Sequence, residues 1–189
     1  MKKLLVAIAM FISVAANANT LMESVAKSVT NSLMQERNVM GWVVGDTANY
    51  NLTMASFIKG TMVMSITAVT DTEVTMQQDM DMGFLGKQAC TSILNADTAE
   101  IKSMTCNGQA QDPGTASDVE ILEQKADTVT VPAGTFECIY IKAKSTSAQG
   151  STEQEQWVNK IVPVSMMVKA VSQSQMGPVV IELASYKKM

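Results

Sequence analysis

The sequence predicts a mainly β protein: a single curved antiparallel sheet of about eleven strands, shaped as a half-open β-barrel, with one N-terminal helix packed on it. Three observations predict this fold. From about residue 48 onward, short segments rich in Thr, Val, Ile and Met have a period of two and are separated by turn residues. One stretch near the N-terminus has the period of a helix instead. Strands and helices do not alternate, which excludes doubly wound folds.

The N-terminal eighteen residues have the pattern of a signal peptide. Lys2 and Lys3 precede an apolar run over 4–14, and Ala16-Asn17-Ala18 supplies small residues for cleavage after Ala18. The apolar run is too short for a helix that crosses a bilayer core of ~30 Å. The alternative is an uncleaved anchor. No later stretch approaches that length, so we expect residues 19–189 to form one β-rich domain, periplasmic or secreted and not membrane-spanning.

The helix is predicted from Thr20 to Arg37. Its apolar residues recur at spacings of three and four and so share one stripe: Met22, Val25, Ala26, Val29 and Leu33. Because one helix and one sheet must bury their apolar faces, we expect the helix to cover the concave face of the sheet. A closed barrel with the helix outside is the alternative. Either arrangement of a curved sheet can enclose a ligand cavity.

The strands follow in order, with turn residues between them. The predicted strands are Ala48–Ile58, Thr61–Val69, Thr72–Asp79, Gln88–Leu94, Ala99–Cys106, Val119–Gln124, Thr128–Val131, Thr135–Lys144, Glu153–Ile161, Ser165–Ser174 and Val179–Tyr186. The separators include Lys59-Gly60, Gly83 through Gly86 and Asn107-Gly108, and the main loop is Asp112-Pro113-Gly114-Thr115. The strand pattern continues after that loop, so the loop does not divide the chain into two domains.

The cysteines are interpreted for an oxidising compartment. If the segment from Lys87 to Gly108 folds as a hairpin about residue 98, Cys90 faces Cys106, and a cross-strand disulfide can form. A register slip of one residue would separate the pair. Cys138 would then be a buried free thiol or an intermolecular link.

Composition excludes several classes of function. The chain of 189 residues is 47% hydrophobic and 17% charged, with a formal net charge of −4. No basic stretch follows the first three residues, so nucleic acid is not an expected partner. Histidine is absent, which removes histidine-based triads, imidazole metal sites and histidine pH switches. We therefore expect no enzymatic activity and no cofactor.

Methionine is the outlier of the composition, with sixteen in the chain. Met62 and Met64, like Met80 and Met82, occupy alternate strand positions, and alternate residues share one face of a strand. Flexible thioethers fill irregular cores, line adaptable hydrophobic pockets or bind Cu(I), and all three interpretations stay open here. The pocket hypothesis predicts that these four methionines, with Trp157, line a site for a lipid, acyl chain or lipidated peptide.

The C-terminal third carries a resemblance. Pro132-Ala133-Gly134-Thr135-Phe136 reads as a tight turn into a strand, followed by Trp157-Val158, Pro163-Val164, Glu182-Leu183 and Tyr186. This order, over roughly Thr128 to Tyr186, resembles exported bacterial proteins similar to the lipoprotein-localisation-factor group. The resemblance implies an unclosed barrel with an apolar interior under a helical lid.

No functional residue carries over from that group. Its cavity arginine has no counterpart, since Arg37 is the only arginine of this chain. Lipoprotein transfer itself is therefore not implied. The leading hypothesis is a non-enzymatic periplasmic binding protein for a hydrophobic ligand. A Cu(I)-binding protein and an envelope assembly protein, whose sheet edge recruits an envelope protein partner, are the alternatives.

Overall fold

The structure is a computed structural model that describes residues 40–111, 118–147, 150–174 and 177–189. The predicted signal peptide, the helix from Thr20 to Arg37 and the loop at 112–115 lie outside these residues. The described residues form β1 (Thr47–Met54), β2 (Ile58–Val69), β3 (Glu73–Asp81), β4 (Lys87–Asn95), β5 (Ile101–Cys106), β6 (Gln109–Gln111), β7 (Asp118–Val131), β8 (Gly134–Ser147), β9 (Gly150–Val158), β10 (Met167–Ser174) and β11 (Gly177–Lys187).

All eleven strands belong to one antiparallel sheet in the order β6-β5-β4-β3-β2-β1-β11-β10-β9-β8-β7. The first and last strands lie side by side in its middle, and β6 and β7 form its two edges. Cα atoms of β7 nevertheless approach those of β10 and β11 to within 8 Å, so this end of the sheet curls strongly. The mainly β, open, curved sheet of the prediction is confirmed.

The predicted and observed sheets both have eleven strands, but only because two errors offset each other: one observed strand was predicted as two, and one short strand was not predicted. Val119–Gln124 and Thr128–Val131 are one continuous strand, β7, because Lys125, Ala126 and Asp127 pair with β8 without interruption. Ladder pairing and the packing of Lys125 on Tyr140 outweigh the low strand propensity of these residues. The sequence prediction also lacked β6, which at three residues is too short to show a period.

The turn between β1 and β2 lies earlier than predicted. The backbone reverses at Ala55 and Ser56, whose φ angles of 51° and 69° are unusual for residues other than glycine, so composition gave no turn signal. Lys59-Gly60, predicted as the separator, lies inside β2. A glycine inside a strand marks a close approach by another group, here the Met82 side chain and the backbone at Asp81.

Replacing Gly60 with alanine is expected to lower the free energy of unfolding by about 2 kcal/mol, as overpacking does. A Cβ at this position would lie 2.5 Å from the carbonyl oxygen of Asp81 and would also meet the Met82 sulfur. Urea denaturation measures the effect. Thr61→Ala, at the exposed next residue, is the control, and an equally small loss in both variants would contradict the close approach.

The core lies on one face of the sheet. In β1 the alternate residues Ala48, Tyr50, Leu52 and Met54 are at most 3% exposed, and they join one large cluster with β2, β3, β10 and β11. The described residues contain only one short helical turn, of the 3₁₀ type, at Gly83–Leu85. Within the same residues, no helix has the length and apolar character to cross a membrane.

Candidate functional site

The structure brings the four predicted methionines together as buried side chains. Met62 and Met80 are direct cross-strand partners, Met64 faces Gln78, and Met82 lies over Gly60. All four methionines are 3 to 8% exposed and belong to the main core cluster. This degree of burial is typical of core packing. Their participation in ligand binding stays a prediction.

Trp157 does not share the face of these methionines. Residues directly paired across antiparallel strands point to the same face of the sheet. Trp157 pairs with Lys169 and Lys169 with Glu182, and the direct pairing continues through Asn51 to Thr61. Because successive residues of a strand point to opposite faces, Thr61 and Met62 are on opposite sides of the sheet. Trp157 therefore lies on the side opposite to the methionine pair, although its ring reaches the margin of the main cluster.

The contacts of Trp157 are aromatic and charged. Its ring centroid is 5.0 Å from that of Tyr140, and the Lys169 Nζ lies 5.8 Å from the indole ring. Its Nε1 donates a hydrogen bond of 2.7 Å to Asp127 Oδ2. That hydrogen bond lowers the pKa of Asp127, since it stabilises the carboxylate form. These contacts account for Trp157 without a ligand.

The cysteines follow the predicted pairing. Cys90 and Cys106 are register partners on β4 and β5 and form a disulfide with a Cα–Cα distance of 4.1 Å. Cys138 is a buried free cysteine, and burial raises the pKa of its thiol to about 11. The thiol is therefore protonated at neutral pH and a poor nucleophile. The described residues also contain no group of three or more Cys, Asp or Glu residues arranged to hold a metal ion.

A groove of about 770 Å³ opens at the curled end of the sheet. Three segments that are distant in sequence line it: the β7–β8 turn with the start of β8, the loop after β9, and the end of β11. Its lining residues are Ala133, Gly134, Thr135, Phe136, Glu137, Asn159, Lys160, Ile161, Tyr186 and Lys188. We call this surface the C-terminal groove.

The apolar part of the C-terminal groove is formed by two aromatic rings and an isoleucine. The centroids of Phe136 and Tyr186 are 6.3 Å apart with a tilt of 58° between the rings, an arrangement within the range of favourable aromatic pairs. Ile161 is 50% exposed. Large apolar side chains with this exposure beside an aromatic pair offer area for a ligand to cover.

Backbone hydrogen bonds fix the walls of the C-terminal groove. The Ala133 N–H donates to the Leu183 carbonyl oxygen at 3.0 Å, which joins the β7–β8 turn to β11. The Asn159 side chain joins the start of β8 to the loop after β9: its Nδ2 donates to the Glu137 carbonyl at 2.7 Å, and its Oδ1 accepts from the Ile161 N–H at 2.9 Å. The groove is thus preformed, which reduces the entropic cost of binding.

The loop between β9 and β10, which supplies one wall, is anchored in the core. Trp42 Nε1 donates to the Val164 carbonyl at 2.8 Å, and the Tyr50 hydroxyl donates to the Met167 carbonyl at 3.1 Å. The Ser165 hydroxyl lies 2.8 Å from the Tyr50 oxygen. Complete burial raises the pKa of Tyr50, so the phenol is neutral and keeps its proton for this network.

A smaller pocket of about 380 Å³ lies over β2, β3 and β4. Met80 lines it, but so do Asp79, Asp81 and Lys87, and the last two form an ion pair of 2.9 Å. Lys87 lowers the pKa of Asp81, chiefly because its ammonium group donates a hydrogen bond to the carboxylate. Asp81 and Lys87 are paired with each other, and Asp79 accepts a hydrogen bond from Gln77, so this pocket offers a ligand less than the C-terminal groove does.

No sequence pattern indicates that the residues of the C-terminal groove form a site. Pro132 to Phe136 and Tyr186 were recognised, but as markers of a fold. Lys160, Ile161 and Lys188 carried no signal, because their proximity depends on the curl that brings β8 to β11.

Comparison with known proteins shows the fold. The sequence matches no protein family and no curated protein. An exported protein of Bacteroides fragilis, described as having a YmcC-like fold, is similar with a TM-score of 0.51 and 12% identity, covering 77% of this chain and 97% of its own. The protein CT021 of Chlamydia trachomatis gives a TM-score of 0.51 and 9% identity over 82% of this chain and 93% of its own.

MucB, solved in a complex with MucA of Pseudomonas aeruginosa, gives a TM-score of 0.40 and 9% identity over 75% of this chain and 50% of its own. At identities of 9 to 12%, the first two likenesses concern the fold alone. The chain shares an overall fold with the Bacteroides and Chlamydia proteins.

Proposed function

We propose that the protein is an exported, non-enzymatic binding protein that takes a hydrophobic ligand, such as an acyl chain or lipid, into the C-terminal groove. The single observation that carries this proposal is the preformed groove, lined by the half-exposed Ile161, the partly buried Tyr186 and the edge of Phe136. Its volume of about 770 Å³ is within the range of small-molecule sites.

The energetics favour an apolar ligand. Covering apolar surface contributes ~25 cal/mol per Å². Ile161 and Tyr186 supply most of that surface from two different segments, because Phe136 is only 9% exposed. Because the walls are joined by hydrogen bonds, little of this gain is lost in ordering the protein.

The absence of histidine from the sequence and the protonated thiol of Cys138 support a role without nucleophilic catalysis. Export is supported by the predicted signal peptide, by the disulfide and by the fold shared with a protein described as exported. The resemblance to the lipoprotein-localisation-factor group extends the proposed ligands to lipidated peptides. The Cu(I) and envelope-assembly alternatives stay predictions.

The test is binding of the neutral dye Nile red to the purified protein, followed by fluorescence, with dodecanol as the competitor. Ile161→Glu is expected to weaken dye binding about tenfold, because an ionised carboxylate in the apolar wall must be desolvated when the dye binds. Ile161 is half exposed, so the substitution leaves the core intact.

Ile121→Glu is the matched control, since Ile121 is 40% exposed on β7 and does not line the groove. The control is expected to bind the dye as the wild type does. Absence of dye binding to the wild type, or equal losses in the two variants, would contradict the proposed site.

A further inference from the structure

We propose that the C-terminal groove selects single-chain amphiphiles with a carboxylate head group, which Lys160 and Lys188 bind while the alkyl chain covers Phe136 and Tyr186. This inference rests on the proposed function and adds the chemical class of the ligand. It follows from the charges that line the groove.

Five of the ten lysines in the described residues are already paired with carboxylates. Each of these forms an ion pair of 2.8 to 3.0 Å with Asp or Glu: Lys87, Lys102, Lys125, Lys142 and Lys169. Lys160 and Lys188 have no ion pair within the described part of the chain, yet both line one groove. Two unpaired ammonium groups at the same opening attract an anion.

The remaining charge in the groove sets the charge of the ligand. Among the described residues that line the groove, Glu137 is the one acidic side chain, so these residues carry two positive charges and one negative charge. The resulting charge of +1 matches a carboxylate, which carries one negative charge. A phosphate monoester, with a charge near −2 at neutral pH, would leave an excess negative charge beside Glu137.

The apolar and charged parts of the lining are adjacent in sequence. Lys160 precedes the half-exposed Ile161, and Lys188 follows Tyr186 by two residues. A ligand that covers the apolar floor therefore has its polar end near ammonium groups. A neutral amphiphile would gain the same apolar burial without this attraction.

The experiment compares laurate with dodecanol, which has the same alkyl chain length, and with dodecyl phosphate, by displacement of Nile red. The wild type is expected to bind laurate about tenfold more tightly than dodecanol. The Lys160→Gln/Lys188→Gln variant is expected to lose this preference and to keep its affinity for dodecanol. Raising the salt concentration is expected to weaken laurate binding and to leave dodecanol binding unchanged.

Lys59→Gln/Lys144→Gln is the matched control, because these lysines also have no ion pair in the described residues and do not line the groove. It removes the same net charge, and the laurate preference is expected to persist. Equal affinities of the wild type for laurate and dodecanol, or a preference for dodecyl phosphate, would overturn the inference but not the proposed function. Failure of all three ligands to displace the dye would overturn both.

Discussion

Replacing Cys90 and Cys106 with alanine is expected to lower the free energy of unfolding by about 3 kcal/mol. The disulfide joins β4 and β5 across a sequence separation of 16 residues, so it restricts a loop of that length in the unfolded chain. Loops of roughly 15 residues give this magnitude in the chain-entropy description. The position adds to the effect, because β5 has only the three-residue β6 as its other neighbour in the described sheet.

Urea denaturation of the wild type and of the double variant, each with and without reductant, measures the effect. The wild type is expected to lose about 3 kcal/mol when reduced, and the double variant is expected to respond to reductant by less than about 0.5 kcal/mol. Cys138→Ala is the control, since it removes the free thiol and leaves the disulfide. If the Cys138→Ala variant, and not the double variant, lost its response to reductant, the assignment of the disulfide to Cys90 and Cys106 would be contradicted.

The disulfide was predictable from sequence because it depends on one local hairpin. The predicted register gives Cys90 opposite Cys106, and the pairing holds from Cys90 to Ile93. The irregularity lies between Ile93 and Leu94, beside the turn. A bulge at that point does not change the pairing at the far end of the hairpin, where the cysteines are.

Longer-range features were less predictable. The antiparallel pairing of the strands follows from period-two patterning and turn residues, but the curl of the sheet depends on contacts such as Ala133 with Leu183, which are 50 residues apart in the numbering. The C-terminal groove exists because of that curl. The side of the sheet on which Trp157 lies, relative to the methionines, depends on the pairing register of β10, β11 and β1, which lie between β9 and β2. No pattern within β9 specifies that register.

For the methionines, the face of the sheet was predicted correctly, but the face alone does not establish a binding site. Alternation placed Met62 and Met80 on one side of the sheet, and the structure pairs them directly. Whether that side is an open wall or a packed core depends on what covers it, which alternation within a strand does not specify. Their exposure of 4% and 8% is that of packed side chains.

Replacing Asp46 with asparagine is expected to lower the free energy of unfolding by about 3 kcal/mol. The Asp46 carboxylate is 1% exposed and accepts two backbone hydrogen bonds, from Val43 N–H at 3.0 Å and from Met189 N–H at 2.9 Å. Its own backbone carbonyl accepts from the Ile66 N–H at 3.0 Å. One side chain therefore ties the segment before β1 to the residues after β11.

Asparagine has the same shape but presents an NH₂ group to one of the two N–H donors, so one buried donor loses its acceptor and the charge-assisted bond is lost as well. Urea denaturation measures the change, and Asp97→Asn, at an exposed turn, is the control with an expected change within about 0.5 kcal/mol. Because Trp42 lies next to Val43 in sequence and donates to the Val164 carbonyl, loosening this segment is also expected to weaken the anchor of the β9–β10 loop. An Asp46→Asn variant as stable as the Asp97→Asn control would show that the carboxylate does not hold the segment before β1 to the residues after β11.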